Sequence, residues 1–385
     1  MNHNKDSELL ERICLSNSLD TYDPYDIWKT TLGRFSKKLY YKNKYLGLIP
    51  AATLTLFDLF LNEPARIFYH HQEYPVVRGQ AALSLINKYR DTGNVNYLNC
   101  AKKHIDWLLE NPSGGYSGLC WGTGFEIVIS ADLSYDSNTP FTTNTPYILE
   151  ALHEYYMLTK DEEISKAIKS IYIFYENNVV VMKENDDVLI TSYGPMNDRI
   201  VTNAVSYTMF AYSIFYNYIM NKDLLENKIL KMYNFIREVQ QKDGSWLYAP
   251  YEKASFIDCF HTCFVLKNIH KTSKLFNLPG SSQIIKLGYS YILNSFYDSK
   301  IGLFKRFSIS NKPSLVQYDL YDNAELLQLA KLLGDSGTVL KLERAIKRKF
   351  CKGEDVYSNI DLFGFKRNKN TYRWAVMPYI LAKSL

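Results

Sequence analysis

The sequence lacks the features that mark several common classes of protein. Its six cysteines are spread along a long chain, with only Cys259 and Cys263 near each other, and no CxxC pair is present. This spacing is not typical of a secreted disulfide framework and favours reduced thiols. No block of five or six like charges occurs, so nucleic-acid binding is not indicated despite a formal net charge of +5.

A signal peptide is also missing, because the opening residues MNHNKDSELLERICLSNSLD are polar and predict a short helix. We therefore expect a cytoplasmic protein. The longest apolar stretch, 46–61, contains Asp58 and is shorter than the roughly 20 residues that span a bilayer. It predicts a buried or interfacial helix, which allows membrane association and contact with membrane-bound glycan assembly enzymes.

Aromatic residues are abundant, with 32 Tyr and 20 Phe but only five Trp. An A/T-rich genome would produce some of this excess, since Asn, Lys and Ile are plentiful too. Tyrosine also offers an apolar face beside a hydroxyl group, which suits the C–H patches and hydroxyls of sugars. A tyrosine-lined cavity therefore favours a carbohydrate ligand.

Helical segments recur along the chain at a nearly constant interval. Aligned on Thr143, Thr202, Asp258, Asp319 and Tyr372, five segments have spacings of 59, 56, 61 and 53 residues. These segments are apolar around most of their circumference, which predicts helices buried on both sides. The pair 78–93 and 94–112 extends the series toward the N-terminus.

Amphipathic segments such as 161–178 and 223–241 separate the apolar ones. Alternating inner and outer helices predict an all-α fold, an (α/α)5–6 toroid of helical hairpins, with short β-like connectors rich in Gly and aromatic residues at one rim. We expect residues 29–385 to form this single domain. Residues 1–28 are predicted to be an N-terminal segment and possible lid.

The starts of the inner helices concentrate residues that carry catalysis. Asp258 and His261 are three residues apart on one helical face, so the carboxylate can orient the imidazole for proton transfer. The alternative is a histidine that is simply hydrogen-bonded within a polar core.

The segment YDLYDNAE places three carboxylates at i, i+3 and i+6. Helix capping and the helix dipole explain one or two of them, and paired carboxylates are the apparatus of glycoside hydrolysis. The catalytic candidates are accordingly Asp258, His261, Asp319, Asp322, Glu325, Tyr318 and Tyr321.

Further polar and aromatic side chains of the connectors and inner helices are predicted to bind substrate in the central funnel. Repeated DGSW-like turns also wedge hairpins together, and for Trp246 that structural role is favoured. The binding candidates are Tyr116, Trp121, Glu126, Tyr193, Tyr207, Trp246, Tyr248, Arg373 and Trp374.

No cofactor or metal is predicted. Cys259, His261 and Cys263 lie close together, and Cys120 occupies a Gly-rich loop. Zinc binding by these residues is the weaker hypothesis, because small apolar packing explains both cysteines of the inner helix and the histidine points elsewhere.

The segment YDPYDIW has two possible roles. Pro24 forces an extended or turn conformation, so the segment either covers the funnel as a lid or places Asp26 to cap the helix that follows.

Several landmarks together resemble a family encoded among bacterial capsule and O-antigen genes, with toroid proteins akin to six-hairpin glycosidases and terpenoid cyclases. They are YDPYD, YLNCAKKHIDWLLEN with GGYSGLCWG, QQKDGSWLY with IDCFHTCFVL, YDLYDNAE and YRWAVMPYILA. The resemblance implies polysaccharide biosynthesis or modification and assigns no catalytic residues. A cyclase-type DxDD run is missing from the sequence, which disfavours isoprenoid chemistry.

Two classes of function follow from these patterns. The first is a glycan-processing enzyme of surface-polysaccharide biosynthesis, acting on a carbohydrate or lipid-linked glycan by glycosidic cleavage or by uronyl epimerisation or elimination, with Arg373 holding a carboxylate. The second is a non-catalytic glycan-binding or assembly factor, which predicts binding without turnover.

Overall fold

A computed structural model describes residues 3–310 and 314–385 of the chain. Its helices are α1 (His3–Cys14), α2 (Asp26–Lys29), α3 (Thr31–Lys42), α4 (Lys44–Phe57), α5 (Glu63–Ala65), α6 (Pro75–Thr92), α7 (Val95–Glu110), α8 (Thr145–Thr159), α9 (Glu162–Asn178), α10 (Thr202–Phe215), α11 (Lys222–Glu238), α12 (Cys259–Ser273), α13 (Ser281–Ser295), α14 (Leu320–Leu332), α15 (Ser336–Phe350) and α16 (Met377–Ser384), with π-helical turns at Asp58–Asn62 and Tyr372–Val376.

Six inner helices close into a ring. Helices α6, α8, α10, α12, α14 and α16 each pack against the next, and α16 packs against α6. Helix α10 shows why the inner position suits these sequences, since every residue from Thr202 to Phe215 is buried. A helix that is apolar on all sides is stable only when neighbours cover it all round. The predicted α/α toroid is confirmed, with six hairpins.

The outer helices cover the ring with one face each. In α9, for example, Ile164, Ile168 and Ile171 are buried while Glu162 and Glu163 face solvent. Helices α7, α9, α11, α13 and α15 pack against the inner helices that precede them. The sixth outer helix is α1, which contacts α6 and α16. Residues 1–28, predicted as one N-terminal segment, therefore have two parts, because helix α1 belongs to the outer layer of the toroid.

The connectors form short strands at the rim where the inner helices begin. The strands are β1 (Ile127–Val128), β2 (Ser134–Tyr135), β3 (Val181–Glu184), β4 (Leu189–Thr191), β5 (Ile257–Asp258), β6 (Tyr297–Asp298), β7 (Leu303–Phe304), β8 (Phe307–Ile309), β9 (Val316–Asp319), β10 (Cys351–Lys352), β11 (Asp355–Asp361) and β12 (Lys366–Lys369).

Backbone hydrogen bonds tie successive inner-helix starts to the next connector around much of the ring. Thr142 N donates to Tyr193 O, Thr202 N to Tyr248 O, and Cys259 N to Arg306 O. Strand β11 continues the series by pairing antiparallel with β9, with Asn359 opposite Asp319. The six helix starts therefore surround one funnel.

A helical hairpin outside the ring interrupts the repeat between α1 and α6. Helices α3 and α4 pack on each other, and a β-carbon at Gly47 would lie 2.2 Å from Tyr40 Cα. Glycine is required at this contact because any side chain would force the helices apart. The hairpin stands at the funnel rim, where Arg34 Nε lies 3.2 Å from Glu126 Oε2.

Candidate active site

The start of α12 holds a carboxylate–imidazole pair. Asp258 is the N-cap residue of α12, and its Oδ1 accepts a hydrogen bond from the backbone N of His261. Its Oδ2 lies 2.7 Å from His261 Nδ1. No described residue forms a hydrogen bond to His261 Nε2, so the pair leaves this ring nitrogen available in the funnel.

Aromatic rings fix the orientation of the imidazole. The ring centroids of Phe260 and Tyr248 lie 4.0 Å and 4.6 Å from that of His261. Tyr248 Oη donates to Tyr193 Oη at 3.1 Å, which links two predicted binding residues from successive connectors. Beside them, Asn203, Trp246, Tyr248, Asp258 and His261 border a small recess of about 10 Å³, which has room for a single water molecule. The imidazole is rigidly held at the edge of a small cavity.

At the start of α14, Asp319 is buried in a hydrogen-bond network. It caps the helix by accepting from Tyr321 N at 2.9 Å, and its Oδ2 accepts from Trp374 Nε1 at 2.9 Å. Arg306 Nη1 lies 3.7 Å from the same oxygen. Burial raises the pKa of Asp319, although the Arg306 charge and the Trp374 hydrogen bond act in the opposite direction.

Asp322 lies one helical turn further on and is fully buried. Its Oδ1 accepts from Phe260 N at 3.0 Å, while Oδ2 has no partner among the described residues. Burial, followed by the charge of Asp319, raises the pKa of Asp322 well above its usual value. Its surroundings in the wall between α12 and α14 therefore favour the protonated form of this carboxyl group.

The last inner helix is preceded by a distorted turn that presents Arg373 and Trp374. Ala375 has φ of 99° although it is not glycine and is buried, so this backbone is strained. The Trp374 ring stacks on Tyr321 with centroids 4.4 Å apart. Ser358 Oγ donates a hydrogen bond to the Trp374 carbonyl oxygen at 2.9 Å, which holds the distorted turn in place beside the funnel.

Below this level, aromatic side chains fill the axis of the toroid. We define the axial cluster as Tyr147, Tyr207, Phe260 and Phe264, all of which are buried. The Tyr147 and Tyr207 hydroxyl oxygens are 2.7 Å apart. The axial cluster closes the funnel, so Tyr207 forms part of its floor.

Glu325 lies beneath the axial cluster and pairs with a buried lysine. The Glu325 side chain is fully buried, and its Oε2 forms an ion pair with Lys267 Nζ. Lys267 Nζ also donates to Gln328 Oε1 at 3.0 Å. Glu325 is thus a structural charge within the ring wall, remote from the rim where His261 lies.

Part of the N-terminal segment descends into the funnel. Asp23 forms an ion pair with Arg373, and Tyr25 Oη accepts from Arg306 Nη1 at 3.0 Å. Tyr25 also packs edge-on against Trp374. Asp26 accepts from the backbone N of Asp23, and the N-cap of α2 is Tyr25. The segment covers the two arginines, and Asp26 does not cap the following helix.

Two predicted binding residues, Trp121 and Trp246, have buried rings, although Trp246 also borders the recess beside His261. The Trp121 and Trp246 rings are buried between hairpins, where their Nε1 atoms donate to Leu108 O and Ile236 O. The burial of both rings disfavours stacking on a substrate, and their role in substrate binding stays a prediction. For Trp246 the favoured wedge role fits, since Gly288 packs against its ring.

Three more candidates have side chains engaged with other parts of the fold, and one of them, Glu126, lies at the funnel rim. Tyr116 packs edge-on against Phe174 of outer helix α9. Glu126 forms its ion pair with Arg34 of the outer hairpin. Tyr318 donates to Asp298 at 2.7 Å, because alternation along β9 sends it to the opposite side from Asp319. Through these contacts, the three side chains join connectors and helices of the fold.

Arg306 is a funnel residue that the sequence reasoning missed. It lies between β7 and β8, and its guanidinium carbon is 5.6 Å from the Trp374 ring centroid and 5.8 Å from that of Phe260. Its position in the aromatic connector GLFKRFS, which joins outer helix α13 to inner helix α14, was the available signal.

Among the described residues, no group of three or more His, Cys, Asp and Glu side chains is placed to hold a metal ion. Cys259 is buried, and burial together with its neighbour Cys263 raises its pKa well above the usual value. His261 turns toward Asp258 and away from both thiols. This arrangement does not fit the tetrahedral site of the zinc hypothesis.

Comparison with known proteins supports the fold and does not assign a family. No family model and no curated protein matches the sequence. The cellobiose 2-epimerase of Bacillus thermoamylovorans B4167 is 14% identical to this chain, with a TM-score of 0.63, and the match covers 82% of this chain and 88% of that chain. A D-mannose isomerase is 12% identical, with a TM-score of 0.58, over 81% of this chain and 88% of that chain. A GH76 α-mannanase of Bacteroides thetaiotaomicron is 11% identical, with a TM-score of 0.58, over 94% of this chain and 98% of that chain. At these identities the chain shares their α/α toroid fold.

Proposed function

We propose that this protein is a sugar-processing enzyme that transfers a proton at a carbon next to a carbonyl or carboxylate group. The observation that carries the proposal is the Asp258–His261 pair, with its 2.7 Å contact at Nδ1 and its available Nε2. Among the fold neighbours, the names of two describe a sugar epimerase and a sugar isomerase. That agreement adds support, and the chemistry is argued from this chain's own residues.

The pair determines which nitrogen acts as the base. Nδ1–H donates to the Asp258 carboxylate, so the neutral ring carries its lone pair on Nε2. The negative carboxylate also stabilises the imidazolium that forms when Nε2 accepts a proton. Positioned acid–base groups of this kind contribute typically about 10²- to 10⁴-fold to a rate.

Two arginines are suited to hold the anionic or hydroxyl groups of a sugar. Arg306 Nε is buried and has no partner among the described residues, and Arg373 is held by a single carboxylate, that of Asp23. Their guanidinium groups flank the Trp374 ring. A sugar stacked on this ring would place a carboxylate or hydroxyl between them once the N-terminal segment withdraws.

The Asp258–His261 pair supplies one base, which favours reactions that need a single base. In an aldose–ketose isomerisation, Nε2 removes the C2 proton to give an enediolate, the hydroxyl proton moves from O2 to O1, and the imidazolium returns its proton to C1. In β-elimination, the same base removes a proton next to a uronic carboxylate, the C4 oxygen leaves with its bonding pair, and the imidazolium gives its proton to that oxygen.

Hydrolysis is less well supported by the geometry. It needs two carboxyl groups that both reach the scissile bond. Asp319 and Asp322 are fully buried, and Asp258 is committed to His261. The α-mannanase shares the fold, so glycosidic cleavage is the outcome that the experiment must separate from proton transfer.

Product analysis by NMR tests the proposal. The purified chain is incubated in H₂¹⁸O with reducing mono- and disaccharides, α-mannan and uronate-containing oligosaccharides. We expect an isomerised sugar or an unsaturated uronate, without ¹⁸O at a new reducing end. Release of ¹⁸O-labelled reducing ends would establish hydrolysis instead, and binding without any product would favour the assembly-factor function.

We further propose that the natural substrate belongs to bacterial surface polysaccharide and is processed in the cytoplasm. This proposal rests on the resemblance of the five sequence landmarks to capsule and O-antigen cluster proteins. A clean deletion and a His261→Asn replacement in the chromosome would test it. Both strains should change the same sugar in the polysaccharide, whereas an unaltered polymer would contradict the assignment.

A further inference from the structure

We infer that the α3–α4 hairpin and the neighbouring β11–β12 turn form a docking surface for an anionic phospholipid bilayer. We name this surface the rim patch. It consists of the exposed apolar residues Leu32, Phe35, Tyr45, Leu46, Leu48, Ile49, Leu56, Phe60, Leu61, Leu362, Phe363 and Phe365. The inference is independent of the reaction proposed above.

The exposure of these side chains is unusual for a soluble surface. Tyr45 is 88% exposed, Ile49 73% and Phe363 68%. Residues Lys44–Asn62 form a continuous helix that is long and apolar enough to cross a membrane, yet only 11% of its most apolar stretch is buried. Contiguous exposed apolar surface of this kind marks an interaction site.

Two separate parts of the chain are held together in the rim patch. Arg367 of β12 donates to Leu59 O at 3.0 Å. Its guanidinium lies between the Phe60 and Phe365 rings, with centroids 5.6 Å and 5.4 Å away. The strand turn and the hairpin therefore present their apolar side chains as one surface.

The charge of the hairpin identifies the partner. Between Asp26 and Asp58 the sequence contains six basic residues and no Asp or Glu. Lys29 pairs with Asp26, and Arg34 and Lys38 pair with Glu126, so the surplus of positive charge lies toward the tip of the hairpin. Lys42 and Lys44 are exposed at the tip of the hairpin, beside the exposed rings of Tyr41 and Tyr45. Basic residues attract anionic lipid headgroups, and tyrosines favour the membrane–water interface.

The geometry favours docking in the plane of the membrane over insertion across it. Helix α3 has 12 residues, or about 18 Å, against a hydrocarbon core of about 30 Å. Because Gly47 locks α4 onto α3, the two helices must enter the lipid together. A hairpin that lies in the membrane interface places its apolar residues in the lipid and its basic residues at the headgroups.

The rim patch borders the funnel. Glu126 pairs with Arg34 on one side, and β11 pairs with the strand that carries Asp319 on the other. A bilayer bound at the rim patch would therefore lie next to the opening that leads to His261.

Vesicle flotation of the full chain tests the inference, with vesicles of phosphatidylcholine alone and of phosphatidylcholine mixed with phosphatidylglycerol. We expect binding to the anionic vesicles. Leu46→Ser/Ile49→Ser and Lys42→Glu/Lys44→Glu should each reduce it at least about tenfold. The matched control, Ile173→Ser/Leu340→Ser, changes exposed residues of outer helices α9 and α15 and should bind as the wild type does.

Two results would overturn the inference. One is a wild-type chain that floats with neither type of vesicle, or whose binding the rim-patch variants leave unchanged. The other is a wild-type dimer in light scattering that Leu46→Ser/Ile49→Ser converts to a monomer, because the rim patch would then bind a second copy of the chain. Circular dichroism of each variant verifies that the fold is retained.

Discussion

The Asp258 carboxylate performs two tasks toward His261, because Oδ1 caps α12 by accepting from the His261 backbone N and both oxygens contact His261 Nδ1, at 2.9 Å and 2.7 Å. The same residue therefore starts the helix and orients the proposed base. The orientation of the imidazole is coupled to the backbone geometry of the inner-helix start, so little rearrangement is needed before proton transfer.

Asp258→Asn separates these two tasks. Asparagine caps helices as well as aspartate does, so the free energy of unfolding should change by less than about 1 kcal/mol. The amide cannot stabilise an imidazolium, and kcat on any sugar that the wild type converts should fall about 10²- to 10⁴-fold.

The matched control for this variant is Asp335→Asn. Asp335 caps outer helix α15 by accepting from Thr338 N at 3.0 Å. The Asp335→Asn variant should retain the wild-type kcat. Equal loss of kcat in both variants would assign the effect to helix capping and contradict the catalytic role of Asp258.

Asp322 predicts a dependence of stability on pH. Its raised pKa means that the folded protein keeps a proton that the unfolded chain releases above about pH 4. The stability that this proton contributes is full below that pH and decreases as pH rises toward the folded pKa. Asp322→Asn is uncharged at every pH, so its free energy of unfolding relative to the wild type should increase from pH 5 to pH 8.

Urea unfolding across this pH range measures the effect. Asp335→Asn again serves as the control, because burial disfavours the Asp335 carboxylate but hydrogen bonds from Thr338 hold its pKa below the usual value. Its contribution is already complete above about pH 4, so the difference from the wild type should be flat. A flat difference for Asp322→Asn as well would show that Asp322 is ionised in the folded protein.

The Lys267–Glu325 pair should stabilise the ring only as a pair. Lys267→Met leaves a buried carboxylate without its cation and should cost about 3–5 kcal/mol. The double variant Lys267→Met/Glu325→Leu should recover most of that loss. Urea unfolding of the four proteins in the cycle gives the coupling energy.

A surface pair provides the comparison for this cycle. Arg12 and Glu354 are 2.7 Å apart, but the Glu354 side chain is 87% exposed. Their coupling should be below about 1 kcal/mol. A coupling for Lys267 and Glu325 as small as that of the surface pair would refute a structural role for the buried charges.

Gly288 tests the wedge role of Trp246. A β-carbon at position 288 would lie 2.6 Å from Trp246 Cζ3, so Gly288→Ala should destabilise the protein by about 1–3 kcal/mol. Gly114 faces open space, and Gly114→Ala should be neutral or slightly stabilising. Thermal unfolding compares the two, and equal melting temperatures would contradict tight packing at Trp246.

The fold follows from the sequence because each hairpin must bury an apolar inner helix against its neighbours. The regular spacing from Thr143 to Tyr372 predicts this ring, and closure then brings distant starts together, as in the 2.9 Å hydrogen bond from Trp374 Nε1 to Asp319 Oδ2. The sixth outer helix, α1, is less apparent, since it is separated from its ring neighbours by the α3–α4 hairpin.

The candidate site is only partly predictable from the sequence. Helical spacing determines which face of its own helix a side chain occupies, but it does not determine the contacts between helices. The Asp258–His261 pair lies within one helical turn, so sequence alone predicts it. The burial of Asp322, by contrast, depends on how closely α12 packs against α14. Arg306 could be predicted only if it were known which connector side chain turns toward the funnel. The periodicity of the sequence does not indicate this.

Solvent deuterium incorporation into the sugar tests the central claim, the role of His261 as a base, most directly. In D₂O the wild type should introduce deuterium at the carbon next to the carbonyl or carboxylate of its substrate, as mass spectrometry detects. His261→Asn should abolish the exchange, while His270→Asn, at the other end of the same helix, should retain it. Deuterium incorporation at the wild-type rate by His261→Asn would contradict the assignment.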